Sequence, residues 1–404
     1  MRPGVPASSG DRCAAFRRIC LRIWLVLVVG VSVIVPAAGI NSLKVIPLHT
    51  DFITFYAVGT LARADRSGEA YDDRVLSDAV SSVVGEPIVG LHWLYPPGMV
   101  LVTWPLAIFS PFSAYLLWIG IGLGCLGWAL WRLAPQPASL LLLPLCPAVI
   151  YCVMTGQVSL FAAALAGGGF ICLARRPALA GILFGILTLK IQLALLLPVC
   201  LIAGRHYRAL AFMCAAAILA QVGGLALAGW GSVPAFLQAA SGDLAFVADR
   251  PNLLARIPTV YSLLIGLSAS QPLALAIQSL SSLTVAAILW YVWRRSEDVV
   301  ARSLSWSAGA LLAAPYVFDY DLAIFVIPLA AIAWRCRDRD VDATQAAIMT
   351  VLWSAAFALK YMAAAVGLQI GPLIAAALLA YAVASARHPL NPNAGILAER
   401  TGLD

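Results

Sequence analysis

Charged residues are scarce in this chain: only 11% of its 404 residues are Asp, Glu, Lys or Arg, and 62% are hydrophobic. A soluble domain of this length carries about 25% charged residues. The mean hydropathy is +0.91, and apolar runs of roughly 15 to 25 residues recur along the chain, as in proteins with repeated membrane-spanning helices. The scarcity of charge excludes a soluble globular enzyme and predicts an all-α polytopic membrane protein.

Groupings of metal ligands and reactive cysteines are also missing from the sequence. None of the nine cysteines forms a C-x-x-C pair, and the four histidines are too scattered to form a ligand cluster. The cysteines fall in apolar runs or in segments expected in the cytoplasm, so we expect no disulfides. No Gly-rich phosphate loop or Ser/His/Asp grouping is evident. We therefore expect no metal, no other cofactor and no soluble nucleotide-sugar site.

The net charge of +7 does not indicate nucleic acid, because the basic residues lie at the ends of apolar runs. They are Arg12, Arg17, Arg18, Arg22, Arg205, Arg208, Arg294, Arg295, Arg302, Arg335, Arg337, Arg339 and Arg387. Such clusters mark the cytoplasmic ends of spans. The pattern predicts a cytoplasmic N-terminal segment (1–18), a transmembrane domain (19–386) and a cytoplasmic tail (387–404).

About twelve spans are predicted, with two long outward-facing loops at residues 41–95 and 229–270. Between residues 97 and 203 the sequence allows two threadings. In the first, 97–110 and 114–131 cross separately and 178–202 crosses once, which places Arg175 and Arg176 outside. In the second, 97–131 crosses once with a break, and 178–202 is a hairpin turning at Lys190, which places both arginines inside.

The stretch "TDFITFYAVGTLARA" in the first loop places Phe52, Phe55, Tyr56 and Gly59 on one helical face, with Thr50 or Asp51 at the N-cap. We expect this helix to lie along the membrane surface, with its aromatic rings in the headgroup layer. A carboxylate at that boundary can act as a general base toward an acceptor hydroxyl. It can equally be an ordinary N-cap.

Two further motifs have an ordinary structural interpretation, and the second also has a functional one. In "LHWLYPPG", Trp93 and Tyr95 are typical of residues that anchor a chain at the membrane interface. In "MTGQVSLF", Gly156 and Gln157 fit a turn between two spans, and Gln157 is also able to bond a sugar hydroxyl.

Charges inside or beside apolar runs are the remaining candidates. Lys190 has about ten apolar residues on either side and needs to snorkel or to meet an anion, for which a lipid phosphate is a natural choice. Asp319 and Asp321, with Tyr316 and Tyr320, stand at the start of a predicted span. Acids there mark either a polar pocket or a simple helix start.

Taken in order, "TDFITFYAVGTLARADRSGEAYD", "WLYPPG", "GQVSL", "LAGILFGILTLKIQLALLLP" and "APYVFDYDL" resemble glycosyltransferase family 87. This family belongs to the GT-C superfamily and comprises membrane mannosyltransferases that use polyprenol-phosphate-mannose. The resemblance covers about residues 19–385. One departure is Ile191, which follows Lys190 where the family commonly has proline, and which puts a helix break at that position in question.

The resemblance implies a GT-C-type helical bundle in the cell (inner) membrane, with its active site on the outer face. It implies transfer of a hexose, mannose for this family, with inversion, from a polyprenyl-phosphate donor to a glycolipid or glycan acceptor. The catalytic aspartate of the first loop would be Asp51, and Lys190 would contact the donor phosphate. We expect these further residues to bind substrate: Tyr56, Tyr95, Gln157, Arg250, Tyr316, Asp319 and Asp321.

Cationic help for phosphate departure can come from Lys190, Arg250 or Arg256. Two hypotheses from other classes stay open on the sequence. One is a transporter or flippase of lipid-linked sugars, and the other is a non-catalytic membrane scaffold.

Overall fold

The computed structural model describes residue 30 and residues 50–338 and 341–387. The chain divides into two compact units, Met1–Lys44 and Val45–Asp404, and all helices named here lie in the second unit. The predicted N-terminal segment, the first span apart from residue 30, residues 41–49 of the first loop and residues 388–404 of the tail lie outside the described residues.

Every regular element of the described ranges is helical. The α-helices are α1 Phe52–Arg63, α2 Asp73–Val84, α3 Val100–Thr103, α4 Pro111–Leu133, α5 Pro137–Leu140, α6 Leu142–Leu145, α7 Pro147–Thr155, α8 Ser159–Cys172, α9 Pro177–Leu187, α10 Ile191–Ala194, α11 Leu197–Ala203, α12 Tyr207–Ala228, α13 Ser232–Ala248, α14 Pro251–Leu254, α15 Val260–Gly266, α16 Gln271–Arg295, α17 Val299–Ala313, α18 Val326–Arg335, α19 Ala343–Val366 and α20 Gly371–Arg387. Short 3₁₀ segments cover Ser67–Tyr71, Pro97–Met99, Trp104–Ile108, Thr188–Lys190 and Asp319–Phe325.

Five stretches of the described chain are long and apolar enough to cross a membrane: α4, Pro177–Ala194, α12, α16 and α19. A sixth is the bent pair of Pro137–Leu145 and Pro147–Thr155, whose two parts meet at 53°. The predicted class, an all-helical membrane protein, is therefore confirmed. The predicted number of about twelve spans is not.

Basic residues gather at one end of the helices. Arg302 donates to the His206 ring (2.9 Å) and to the Ser296 carbonyl (2.7 Å), which brings the start of α12 to the end of α16. Arg132 and Arg176 both lie close enough to the Cys172 thiol to act on it electrostatically. We call this end of the bundle the arginine end.

The hairpin at Lys190 in the second threading is seen in the structure. Helices α9 and α12 run parallel, because Gly181 packs on Ala209 and Gly185 packs on Met213; a Cβ at these glycines would lie 2.2 and 2.6 Å from the respective carbonyl oxygens. The backbone leaves the helical conformation at Lys190 (φ −118°, ψ 76°), even without a proline after it.

The chain must then reverse, through α10 and α11, to reach His206. Although Pro177–Ala194 is long enough to span, these contacts show that residues 177–203 enter and return. Arg175 and Arg176 consequently join the other arginines, which removes the conflict with the charge rule.

Residues 97–108 do not form a separate crossing. They form three short helical pieces, and their combined length is below the roughly 20 residues that a span needs. These pieces lie against α1: the Arg63 guanidinium donates to the Ala107 carbonyl (2.7 Å), and Gly59 packs closely on the Thr103 carbonyl.

The predicted helix after Asp51 exists as α1, but its predicted environment is wrong. Its aromatic face is buried in the protein instead of lying in a headgroup layer: Phe52 and Phe55 are 0% and 2% exposed. Trp93 is similarly no interface anchor, since it is buried and packs edge-to-face on Phe55 with 5.7 Å between ring centres. Tyr95 also contacts the Phe55 ring (5.2 Å).

The described parts of the two long loops contain helices and meet at the end opposite the arginine end, which we call the loop face. The Ser67 hydroxyl donates to the carbonyl of Leu227, in the last turn of α12 (2.6 Å). The Tyr71 ring packs edge-to-face on Phe236 of α13 (6.2 Å). The sequence-based expectation that both loops share one face of the protein agrees with these contacts.

Candidate active site

Asp51 stands at the start of α1 with an exposed side chain. It makes no side-chain capping hydrogen bond. Its Oδ2 instead accepts a 2.6 Å hydrogen bond from Nε2 of Gln157, a buried residue 106 positions later in the chain. The capping interpretation therefore does not account for this aspartate, which instead contacts the turn of the "MTGQVSLF" motif directly.

Gly156 explains why the turn before Gln157 has its sequence. It ends α7 with φ +67°, a conformation that side chains other than glycine rarely adopt. A Cβ at Gly156 would also lie 2.4 Å from Cβ of Phe52. The glycine thus lets the start of α1 dock on this turn, and the Gly156 carbonyl accepts from the Trp118 indole (2.9 Å), which fixes the turn from its other side.

Gly156→Ala should destabilise the protein by about 1–3 kcal/mol, because it adds left-handed strain to an overpacked contact. Transfer activity should fall as well, since Phe52 adjoins Asp51. Gly120→Ala is the matched control: a Cβ there meets nothing within 4 Å, so thermal unfolding should be unchanged or slightly later. Equal unfolding midpoints for the two variants would contradict the proposed docking role.

A buried ion pair lies at the hairpin turn. Lys190 Nζ bonds Oδ1 of Asp321 and donates to the Ser159 hydroxyl (2.7 Å), and that hydroxyl donates to the same Oδ1 (2.6 Å). Lys190 and Asp321 are 3% and 0% exposed. The Phe318 amide donates to the other Asp321 oxygen (3.1 Å), so the carboxylate is fully engaged within the protein.

This pair changes the interpretation of Lys190. The anion that it needs inside the bundle is supplied by Asp321. The expected contact with a donor phosphate is therefore not required to explain the buried charge, and it stays a prediction. Lys190 instead joins the hairpin turn to Ser159, at the start of α8, and to the Asp319–Phe325 segment.

A second cluster surrounds Arg256. Its guanidinium donates to both oxygens of Asp319 (3.1 and 3.3 Å) and to the Tyr151 hydroxyl (2.7 Å), and its carbonyl accepts from the Asp319 amide (2.8 Å). Burial raises the pKa of Asp319, and Arg256 opposes that shift. The Arg256 side chain keeps 24% of its surface exposed. Half-buried Lys360 adds a second cation over the Tyr151 ring (5.3 Å).

Tyrosines connect Asp51 to both clusters. The Asp51 carboxylate lies within electrostatic reach of Tyr95, Tyr151 and Tyr320. Lys190 Nζ stands 5.0 Å from the centre of the Tyr320 ring. Burial, with the negative charges of Asp321 and Asp51, raises the pKa of Tyr95, so its hydroxyl keeps its proton at neutral pH. The exposed carboxylate and the cations of the two clusters thus share three tyrosine neighbours, Tyr95, Tyr151 and Tyr320, which we call the tyrosine rim.

Most of the residues that the sequence singled out meet here. Tyr316 extends the same row of rings, because it packs edge-to-face on Phe318 (5.0 Å), which stacks on Tyr320 (5.1 Å). The Tyr56 hydroxyl donates to the Phe109 carbonyl (2.9 Å), within the packing of α1, and its contact with substrate stays a prediction. Arg250 is exposed at the start of α14, outside the two clusters.

The model of glycosyltransferase family 87 matches residues 93–315 of this chain. The chain belongs to glycosyltransferase family 87. No curated protein and no solved structure matches it. The matched range of this family 87 member includes Tyr95, Gln157, Lys190 and the two arginines of the second loop, Arg250 and Arg256. Asp51 and the Tyr316–Asp321 row lie outside that range, so their part in the site rests on the geometry described above.

Sequence reasoning passed over several residues that the structure brings into this candidate site. Tyr151 carries no local signal, because a tyrosine in an apolar helix is commonplace. Ser159 lies within the "GQVSL" motif but was not singled out as a site residue. Lys360 did carry one: it lies within an apolar helix in the same way as Lys190. Arg256 had been considered only as one of three possible cations.

Proposed function

We propose that this family 87 glycosyltransferase moves a hexose, taken from the family resemblance to be mannose, from a polyprenyl-phosphate donor to a glycolipid or glycan acceptor. The proposal places the reaction at the outer face of the cell membrane. The observation that carries it is the exposed Asp51 carboxylate, which is oriented by Gln157 and lies beside the tyrosine rim and the Arg256 cluster.

Asp51 acts as the general base in this proposal. Gln157 holds Oδ2, and the other carboxylate oxygen accepts the proton of the acceptor hydroxyl. The hydroxyl oxygen then forms a bond to C1 of the sugar while the bond from C1 to the phosphate oxygen breaks. The electron pair leaves with the phosphate, and the configuration at C1 is inverted. Because Asp51 is exposed, its proton can pass to water afterwards.

The leaving phosphate requires positive charge, and the Arg256 cluster supplies it. Arg256 and Lys360 together carry two positive charges against the single negative charge of Asp319, and both side chains are partly accessible. Of the three cations that the sequence offered, Arg256 is therefore favoured over buried Lys190 and over Arg250. Charge-assisted contacts of this kind stabilise the departing group in the transition state.

An apolar cavity supports a lipid donor. It has a volume of about 430 Å³ and lies between α4, α8 and α9. Its walls include Trp118, Phe161, Leu183 and Leu187, and its lining reaches Lys190. Such a cavity suits an isoprenoid chain better than a nucleotide, which would need polar walls for its base, ribose and phosphates.

The outer-face orientation can be tested by labelling with an impermeant thiol reagent. Ser82 is exposed on α2, at the loop face, and Tyr207 is 61% exposed at the arginine end. We expect Ser82→Cys to react in intact cells and Tyr207→Cys to react only after lysis, each measured against the parent protein. The reverse pattern would place the site in the cytoplasm and overturn this part of the proposal.

The reaction itself is tested by a donor screen. Membranes that contain the overexpressed protein are given labelled polyprenyl-phosphate sugars, and new glycolipids or glycans are identified by mass spectrometry. A hexosylated product is expected with the mannosyl donor. In liposomes, label that crosses the bilayer without any new glycosidic bond would indicate the transporter, which no observation on this chain favours. A protein that binds no donor lipid would indicate the scaffold.

A further inference from the structure

A cleft separates the two long loops on the loop face. Its volume is about 610 Å³, within the roughly 300–1,000 Å³ that is usual for small-molecule sites. One wall comes from residues 68–73 with His92 and Leu94, and the other comes from α13. The mechanism proposed for Asp51 does not use any of these residues.

The α13 wall is a single helical face. Ala235, Gln238, Ala239 and Gly242 recur at helical spacing and all line the cleft. Three of the four have small side chains, so the groove stays open, and exposed Gln238 contributes an amide that both donates and accepts hydrogen bonds.

The opposite wall is rich in acceptors. Glu69, Asp72 and Asp73 line the cleft, and His92 faces Asp73 at 2.9 Å through Nδ1. Within the described residues no group of His, Cys, Asp and Glu could hold a metal ion. Each carboxylate already has a partner: Arg66 binds Glu69, Asp72 Oδ1 accepts from the first amides of α2, and His92 faces Asp73. Each also has further lone pairs that can accept hydrogen bonds from neutral hydroxyl groups. Three carboxylates against the one arginine bonded to them disfavour an anion, and the Tyr71 ring adds a flat apolar surface of the kind that packs on a sugar face.

The cleft adjoins the proposed catalytic group through one residue. The Tyr71 hydroxyl donates to the Tyr95 carbonyl (2.8 Å), and the Tyr95 side chain lies within electrostatic reach of Asp51. The cleft walls are also held together, because Ser67 is bonded to the end of α12 and Tyr71 packs on Phe236. Tyr95 therefore connects the cleft to the neighbourhood of Asp51.

We propose that this cleft is the acceptor subsite and that it binds an uncharged sugar residue, either of a glycan chain or of a glycolipid headgroup. The assignment of the cleft as an acceptor subsite rests on the proposed function. The prediction that the cleft binds a neutral sugar does not depend on catalysis. The carboxylates and Gln238 bind sugar hydroxyls, and one further hydroxyl reaches Asp51 and receives the hexose.

Binding is measured by protection of a cysteine. Ala239→Cys lines the cleft, and Leu237→Cys is a matched control on the same helix that is 61% exposed and does not line the cleft. Both are labelled with a maleimide in the presence of neutral mannotriose, of mannose 6-phosphate, or of a neutral glycosyl diacylglycerol incorporated in the proteoliposome. Labelling at position 239 should fall about tenfold at a ligand concentration ten times Kd, with position 237 unchanged.

The three added ligands identify the source of the sugar. Protection by mannotriose indicates a glycan chain, and protection by the glycosyl lipid alone indicates a lipid headgroup. No protection by either, or protection by mannose 6-phosphate alone, overturns the proposal whether or not the protein transfers sugar.

A blocking variant connects the cleft to the reaction. Ala239→Trp should lower transfer to the acceptor by at least tenfold through a raised KM for the acceptor, while labelled donor binds as in the parent; Leu237→Trp should behave like the parent. Normal transfer by Ala239→Trp would refute the subsite and leave the general-base proposal intact. A parent protein that shows cysteine protection but no transfer would refute the proposed function alone.

Discussion

Asp51→Asn should reduce sugar transfer by about 10²- to 10⁴-fold, the usual contribution of a general base. The substitution preserves side-chain size, and the amide oxygen can still accept the hydrogen bond from Gln157. It removes only the ability to take up a proton at neutral pH. Thermal unfolding and donor-lipid binding should therefore match those of the parent. The measurement is the initial rate of product formation in proteoliposomes with labelled donor.

Asp65→Asn is the control for this experiment. Asp65 lies on the same loop, is exposed and has φ +56°, a conformation that asparagine tolerates well. It should retain full activity. If Asp51→Asn turned over at a near-normal rate, the base would have to be another carboxylate. Asp319 would be the next candidate, because its counter-ion Arg256 is 24% exposed, whereas Asp321 and its counter-ion Lys190 are 0% and 3% exposed.

Lys190→Met should destabilise the protein by about 3–5 kcal/mol, because it leaves the Asp321 carboxylate buried without its cation. The unfolding midpoint in detergent should drop by several degrees. The double variant Lys190→Met with Asp321→Asn should recover much of this loss, since it leaves no buried charge.

Arg66→Met provides a surface comparison. Arg66 and Glu69 form an ion pair in which both side chains are about half exposed (52% and 45%), and such pairs contribute about 0–1 kcal/mol. Its unfolding midpoint should be nearly that of the parent. An equally small effect of Lys190→Met, or a double variant less stable than Lys190→Met, would mean that the buried pair does not hold the hairpin turn in place.

The two experiments separate two roles that the sequence could not distinguish. Asp51 and Lys190 were both single charges beside apolar segments, and each had a functional and a structural interpretation. Burial and partners distinguish them: Asp51 is exposed with one amide partner, whereas Lys190 is buried with a counter-ion of its own. We therefore expect substitution of Asp51 to lower the transfer rate without changing stability, and substitution of Lys190 to lower stability.

The sequence by itself determined the class of this protein. A chain with so few charges and such long apolar runs satisfies its backbone hydrogen bonds in lipid by forming helices. This conclusion follows from composition alone and does not depend on which helices contact each other. The order of short motifs likewise pointed to family 87, which the match over residues 93–315 shows. Local spacing also predicted α1, because its apolar positions repeat at the helical period.

Only the tertiary structure decided what those motifs do. Three contacts of the site join residues that are 63 to 131 positions apart in the chain: Asp51 with Gln157, Lys190 with Asp321, and Arg256 with Asp319. No local pattern encodes these contacts. The reversal after Lys190 is of the same kind. Hydropathy registers how apolar a segment is, but not its direction, so 178–202 fits one crossing or a hairpin equally well. Packing decides between them, because Gly181 and Gly185 bring α9 alongside α12 in parallel, and a chain that must then reach His206 has to turn back.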